Sequence, residues 1–291
     1  MPDMPNILLT GASGLLGCSL GPRLRALGHA IVTQGLSGAA AVDLRVDLTD
    51  RAAAEAMLDR LKPRVVVNLV GLTDVDRCED HADEAWRLNV RTVETLAGWI
   101  GRRDGCHLVH VSTDQVYDGL GPHREGDVDI VNVYALSKYA GELAALAAGA
   151  TVLRTNFFGP SAQPRRASFS DWVIARLRAG EPFTGFEDVL FSPLSMATLS
   201  VAVARVAARP APGVFNLGAR GGCSKAEFAR RLARHLGHDA SLVRAGSQAD
   251  AGLRARRPTD MRMDSRLFET TFDFILPDLS AEIAGMETQH A

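Results

Sequence analysis

The chain has almost no lysine and almost no tyrosine. Among its 291 residues the only lysines are Lys62, Lys138 and Lys225, and the only tyrosines are Tyr117, Tyr134 and Tyr139. With both so scarce, a tyrosine and a lysine at a meaningful spacing carry more information than a bare pattern match usually does. Strong net charge is also missing. At −2 the balance is near neutral, which gives no pull toward nucleic acid or an anionic membrane surface. The four cysteines (Cys18, Cys78, Cys106, Cys223) are scattered, with no C-x-x-C pair and no histidine cluster at metal spacing. They read as free thiols in a reducing compartment, and no metal site is expected. No apolar run is long enough to span a bilayer. The opening MPDMPNILLTG leads straight into a strand rather than a signal peptide, so the expected location is the cytoplasm.

What is present is an alternation of short β-branched runs and helical patterns. Strands are predicted at Asn6–Thr10, Ala30–Thr33, Val42–Val46, Arg64–Val70, His107–Val111 and Val152–Thr155. Helices are predicted over Leu15–Leu27, from Thr49 or Asp50 to Leu61, over Ala82–Arg102 and over Val133–Ala147. Continuous apolar strands separated by helices predict an α/β fold with a doubly wound, Rossmann-like parallel sheet covered on both faces. After Gly159 the pattern loosens. Pro160–Arg166 reads as a polar loop, Ser168–Arg178 as a helix and Gly213–Leu217 as a strand. Ser224-Lys-Ala-Glu227 reads as a capping box opening a helix to Leu236, and Leu253–Leu279 as irregular chain. The expected division is a dinucleotide-binding domain over 1–159 and a smaller, mainly substrate-binding region over 160–291. Elements from about 190 to 218 are expected to return to the main sheet.

Gly11-Ala-Ser-Gly14-Leu-Leu-Gly17 lies between the first strand and the first helix. Three glycines there permit a tight turn, close approach of backbone to a pyrophosphate, and close packing of helix on strand. An acidic residue for a ribose hydroxyl is missing after the second strand, where Thr33-Gln34-Gly35 stands. An arginine for a 2′-phosphate is missing there too, so the choice between NADH and NADPH stays open. Asp47-Leu48 after the third strand is placed to flank an adenine, and Asp47 reads equally well as a plain turn residue.

Tyr134-Ala-Leu-Ser-Lys138 puts a phenol and an ammonium at i and i+4 on one helix face. A nearby ammonium favours tyrosinate and is expected to lower the phenol pKa, so that Tyr134 exchanges a proton beside a hydride. Lys138 also reaches a nicotinamide ribose. Thr113, at the carboxyl end of a predicted strand, is placed to hold a substrate oxygen.

These motifs resemble the extended short-chain dehydrogenase/reductases, and within them the dTDP-4-dehydrorhamnose reductases. The resemblance runs over nearly the whole chain. It is carried by Asn6-Ile-Leu-Leu-Thr-Gly11, Asn68, Thr73-Asp-Val75-Asp76-Arg-Cys-Glu79, Asn89, Ser112-Thr-Asp-Gln-Val-Tyr-Asp-Gly119 and Glu125. It continues through Asn132-Val-Tyr-Ala-Leu-Ser-Lys-Tyr-Ala-Gly-Glu142, Arg154-Thr155, Arg256-Arg-Pro-Thr-Asp260 and Leu276-Pro-Asp278. It implies hydride transfer from NADPH or NADH to the 4-keto group of a nucleotide-linked 6-deoxyhexose. Thr113, Tyr134 and Lys138 take the catalytic positions. The expected cofactor contacts are Gly11, Ser13, Gly14, Leu15, Leu16, Gly17, Asp47, Leu48, Val70, Gly71, Thr73 and Asn89, together with Tyr134 and Lys138. Substrate contacts are expected from Thr73, Val75, Asp114, Gln115, Asn156, Phe157 and Arg257, with Arg257 near the nucleotide diphosphate. The implied partner is a nucleotide sugar, with neither nucleic acid nor membrane, and a homodimer is left open.

Two departures from the family pattern bear on the substrate. Phe157 stands where a tryptophan is usual beside the sugar, which removes an indole N–H donor. Ser19 stands where some members carry a glutamate tied to a metal-bridged dimer, so no metal is carried over. Dehydratases of the superfamily use a glutamate after the aspartate that follows the threonine, and the amide of Gln115 cannot serve as that base. Epimerisation by the same tyrosine and lysine stays open, as does a non-catalytic NAD(P)-binding regulatory subunit.

Overall fold

A computed structural model describes residues 7–36, 41–163 and 166–286. Asn6, Pro164 and Arg165, which fall within the first strand and the loop expected above, lie outside the described residues. Seven strands form one sheet: β1 (Ile7–Thr10), β2 (Ile31–Gly35), β3 (Leu44–Arg45), β4 (Val65–Asn68), β5 (His107–Thr113), β6 (Thr151–Thr155) and β7 (Gly213–Leu217). Their order is β7-β6-β5-β4-β1-β2-β3, and every neighbouring pair is parallel. The order reverses between β1 and β4, and in sheets of this kind a ligand crevice forms at such a reversal, outside the strands' carboxyl ends.

Period-two alternation explains the two buried faces. Ile7, Leu9, Val65, Val67, Val109, Val111 and Leu153 point to one side, against α1 (Leu15–Ala26) and a late helix over Met196–Ala208. Leu8, Val66, Leu108 and Val152 point to the other. They pack on α2 (Arg51–Leu61) and on a helical layer that includes Trp99 and Ala145. That layer begins with α3 (Val75–Asp80) and α4 (Ala82–Trp86). It passes through a π-helical turn at Arg87–Arg91 into α5 (Thr92–Ile100), and α6 (Val133–Leu146) completes it. The expected single helix over Ala82–Arg102 is therefore interrupted by one wide turn. Thr92 Oγ1 donates to the Leu88 carbonyl at 2.5 Å within this stretch.

The later chain adds α7 (Phe169–Arg178), α8 (Met196–Ala208) and α9 (Lys225–His235). It also forms a parallel strand pair, Phe183–Phe186 with Val243–Gly246. Ser168 caps α7 with a full capping box through Asp171. At α9 only half of the expected box forms. Ser224 Oγ accepts from Glu227 N, while the Glu227 carboxylate binds Arg231 one turn on. The segment expected to be irregular, Leu253–Leu279, contains one helix, α10 (Arg266–Phe272), and a second, α11 (Leu279–Ala284), starts at its end. Phe268, Phe272 and Ile283 bury into the main core. Both helices are short and take their stability from packing, so propensity leaves little trace of them.

Candidate active site

One cleft of about 380 Å³ opens at the carboxyl ends of the strands. Its first end is the glycine turn. Gly11 has φ +68°, and a Cβ there would meet the Leu69–Val70 backbone at 2.9 Å. A Cβ on Gly17 would lie 2.5 Å from Ala12 Cα. No side chain caps Gly14, and the first turn of α1 carries no acid. Its amide groups are therefore free to meet an anion. Gln34 ends β2 but turns inward. It accepts from Gly11 N at 3.1 Å and donates to Val46 O at 2.6 Å, so it braces the turn and leaves the ribose position uncontested. Asp47 accepts from both the N–H and the hydroxyl of Thr49, at 2.9 and 2.7 Å.

The other end of the cleft holds the tyrosine–lysine pair. Asn132 caps α6 by accepting from Ala135 N at 2.8 Å, which fixes where the helix begins and so where Tyr134 falls. Gly141 lets α6 lie against the π-helical stretch, since a Cβ there would be 2.3 Å from Asn89 O. Lys138 is buried and donates to the Val111 carbonyl at 2.9 Å. Burial lowers its pKa to about 8, with the nearby Glu142 charge pulling the other way. Tyr134 differs from expectation. Burial raises its pKa well above the usual value, a hydrogen bond with Thr113 opposes this, and the Asp114 charge adds to it. Lys138 directs its ammonium to the Val111 carbonyl. The phenol is therefore a protonated donor at neutral pH.

Thr113 ends β5 and accepts from Gln115 N at 3.2 Å. Asp114 is buried and accepts from Asn156 Nδ2 at 2.8 Å. Desolvation raises its pKa to about 6, against the pull of Asn156 and of the Lys225 charge. The Gln115 side-chain oxygen is buried without a partner among the described residues.

The cleft brings together Gly11, Ser13, Gly14, Leu15, Leu16, Gly17, Asp47, Leu48, Val70, Gly71 and Thr73. It adds Thr113, Asp114, Gln115, Tyr134, Lys138, Asn156 and Phe157. Three expected residues do not line it. Asn89 is fully buried. It accepts from Leu72 N at 2.7 Å and donates to Leu72 O and to Ser137 Oγ, so it shapes the Gly71–Leu72 turn from behind. Val75 packs in a small cluster with Cys78 and Tyr134. Arg257 pairs with Asp76 at 2.9 Å. Arg166 lines the cleft and had no signal in the sequence, because only the folded loop carries it back to the glycine turn. In that loop Gln163 donates to Ser13 O at 2.8 Å.

Behind the site a buried network joins the sheet to the later chain. Arg154 binds Glu142 at 2.6 Å, Tyr117 Oη at 2.8 Å and the Glu125 carbonyl at 2.7 Å. Ser112 Oγ donates to Glu142 at 2.5 Å, and Tyr117 Oη to Asn216 at 2.6 Å. Residues 254–260 form a strap across α3 and the loop that follows β5. Arg254 binds Asp80, Ala255 N binds Asp76, and Arg256 and Thr259 bind Asp118. Asp260 accepts from Gly121 N.

The family model described as "RmlD substrate binding domain" matches residues 5–290. The chain belongs to the RmlD family. Among RmlD-related proteins, the probable low-salt glycan biosynthesis reductase Agl14 of Haloferax volcanii is 29% identical over 289 residues, covering 96% of each chain. The dTDP-4-keto-6-deoxy-D-glucose reductase of Streptomyces niveus is 30% identical over 244 residues, 81% of each. The fold matches that of dTDP-4-dehydrorhamnose reductase from Bacillus anthracis, solved in complex with NADP. Its TM-score is 0.84 at 22% identity, over 96% of this chain and 97% of that one.

Proposed function

We propose that this RmlD-family protein reduces the 4-keto group of a nucleotide-linked 6-deoxyhexose, with NADPH or NADH as hydride donor. It is an NAD(P)-dependent oxidoreductase. The observation that carries the reading is one continuous cleft with the glycine turn at one end and Thr113, Tyr134 and Lys138 at the other. The relatives' names as deoxysugar and glycan reductases support the substrate class.

The free amides of Leu15 and Leu16 suit a pyrophosphate, and Val70, Gly71 and Thr73 continue the wall toward Lys138. A bound nicotinamide supplies the hydride. Thr113 holds the ketone oxygen by its hydroxyl. The Tyr134 phenol delivers its proton to that oxygen as charge develops there. Lys138 keeps a positive charge near the tyrosinate left behind and orients the ribose. Asp114 and Asn156 act as a unit on the sugar hydroxyls, Gln115 offers its unsatisfied carbonyl, and Phe157 gives apolar surface, while Val75 backs Tyr134 from outside the cleft. Asp47 and Leu48 border the adenine. Asn89 serves this site through the turn it holds. Residues 160–291 are the candidate substrate-binding region, which reaches the cleft through Arg166.

Nicotinamide absorbance tests the reading directly. Incubation with NADPH, and separately NADH, plus a dTDP-linked 4-keto-6-deoxyhexose is expected to consume cofactor with 4-hydroxy product. Cofactor binding without turnover on dTDP- or UDP-linked ketosugars would remove the reductase assignment in favour of a regulatory subunit. Placement in the cytoplasm suits four free cysteines. A homodimer draws support from Leu136 and Leu143, both exposed and seven residues apart on α6; light scattering on eluted protein checks it.

A further inference from the structure

The polar loop after Gly159 is tied down on both sides by one carboxylate. Asp171 Oδ2 accepts from Ser161 N at 3.0 Å and from Ser168 N at 2.8 Å. The same side chain completes the capping box of α7, so the start of that helix fixes where the loop leaves and where it returns. Between the two anchors, Ser161 Oγ accepts from Gln163 N at 3.0 Å. Gln163 then reaches back across 150 residues of sequence, donating from Nε2 to Ser13 O at 2.8 Å. It also donates to Cys18 Sγ at 3.1 Å. Ser13 belongs to the glycine turn, and Cys18 lies one turn into α1.

Arg166 is placed by the same residue. Its backbone N–H donates to the Gln163 carbonyl at 3.2 Å, which keeps it within a turn of the group that grips Ser13. Arg166 lines the cleft and is exposed there. Its guanidinium makes neither a hydrogen bond nor an ion pair among the described residues. Among those residues one other cation lines the cleft, Lys138, and its ammonium is committed to the Val111 carbonyl at the far end. The glycine turn offers amides and no charge, and neither the end of β2 nor the first turn of α1 supplies a cation. A dinucleotide bound there brings a negative charge on each phosphate of its pyrophosphate, and NADPH adds a 2′-phosphate.

We propose that Arg166 binds a phosphate of the dinucleotide cofactor at the glycine-turn end of the cleft. The proposal rests on the NAD(P)H reading above and adds the cation which that reading lacks. A planar guanidinium suits phosphate oxygens, and it supplies the charge that neutral amides cannot. The phosphate is either the pyrophosphate, common to NADH and NADPH, or the 2′-phosphate of NADPH, for which the end of β2 holds no arginine.

The test reads binding rather than turnover. The full chain, without ketosugar, is titrated with NADPH and separately with NADH while nicotinamide fluorescence is followed. Arg166→Gln is expected to weaken at least one of the two by about tenfold or more, the size of one hydrogen bond to a charged group. Equal loss on both cofactors assigns the pyrophosphate, and loss confined to NADPH assigns the 2′-phosphate. Arg166→Lys keeps a charge and is expected to lose less. Wild-type affinity is expected to fall with added salt more steeply than that of Arg166→Gln, because the pair is exposed. The melting temperature of each variant is expected to match wild type, since the side chain holds nothing in the fold. Unchanged affinity for both cofactors in Arg166→Gln overturns the proposal and leaves the NAD(P)H reading standing. A loss that leaves the salt dependence as in wild type also overturns it, since charge then plays no part. A raised KM for the ketosugar with unchanged cofactor affinity overturns it too, assigning the guanidinium to the substrate. Wild type that binds neither NADPH nor NADH removes the NAD(P)H reading itself, and the proposal with it.

Discussion

Two neighbouring side chains, Tyr134 and Asp114, set the chemistry of the cleft by their protonation. Burial keeps the Tyr134 phenol protonated, which suits a group that must donate during reduction. Tyr134→Phe is expected to bind NADPH as wild type does and to lose about 10²-fold or more in kcat; cofactor fluorescence and initial rates check both halves. A variant with near wild-type turnover would sink the proton-donor role. Asp114 titrates near 6 in the fold against an ordinary 3.8. The folded protein therefore holds this proton more tightly than the unfolded chain. The stability it confers is complete below about pH 4 and lost as pH rises through 6. Asp114→Asn escapes that loss. Its melting temperature is expected to gain on wild type between pH 4 and 7, by an amount worth roughly 1–3 kcal/mol at neutral pH. A gap that stays constant with pH would show that Asp114 does not titrate in this range.

Elements explain what the sequence made legible and what it hid. The glycine turn, β5 with Thr113, and α6 with Tyr134 and Lys138 are local patterns, so their positions could be read from spacing alone. All of them line one cleft. Asn89 was legible as important, but its job depends on a π-helical turn that no periodicity announces. Arg257 carried a family position, and its partner Asp76 lies 181 residues earlier, beyond any local pattern. Lys225 looked like the second residue of a capping box, because its ring partners Phe169 and Phe191 come from distant parts of the chain. The contact of α6 with the π-helical stretch gives an element-scale prediction. Gly141→Ala would set a Cβ 2.3 Å from Asn89 O, so the helix must move. A loss of about 1–3 kcal/mol in stability is expected, together with a fall in kcat, since Tyr134 and Lys138 ride on the same helix. Denaturant unfolding and initial rates read the two effects. A stable variant with full activity would show that the helix has slack there.

For the whole molecule, the joint between its early and late parts is Arg154. Its guanidinium ties β6 to α6 through Glu142 and to Tyr117, which in turn reaches Asn216 on β7. Arg154→Met leaves Glu142 buried without its partner, and about 3–5 kcal/mol is expected to be lost. Glu142→Gln together with Arg154→Met is expected to recover part of it, because no bare charge remains. Equal losses in the single and double variants would mean that packing, not charge, dominates. The strap behaves as a second joint. Asp118→Ala frees Arg256 and Thr259, and limited trypsin digestion after Arg254 or Arg256 is expected to speed up several-fold while cleavage elsewhere holds steady.

The seventh strand arrives late. β7 spans Gly213–Leu217 and pairs along its whole length with β6 at Thr151–Thr155. A nascent chain that has cleared the ribosome only to residue 159 holds six strands, a bare β6 edge and an Arg154 with no Asn216 at the end of its network. Such an edge invites pairing with any other extended chain. Birth of this protein therefore includes an interval in which its first half is drawn but not closed, and the later half ends that interval by lending back one strand.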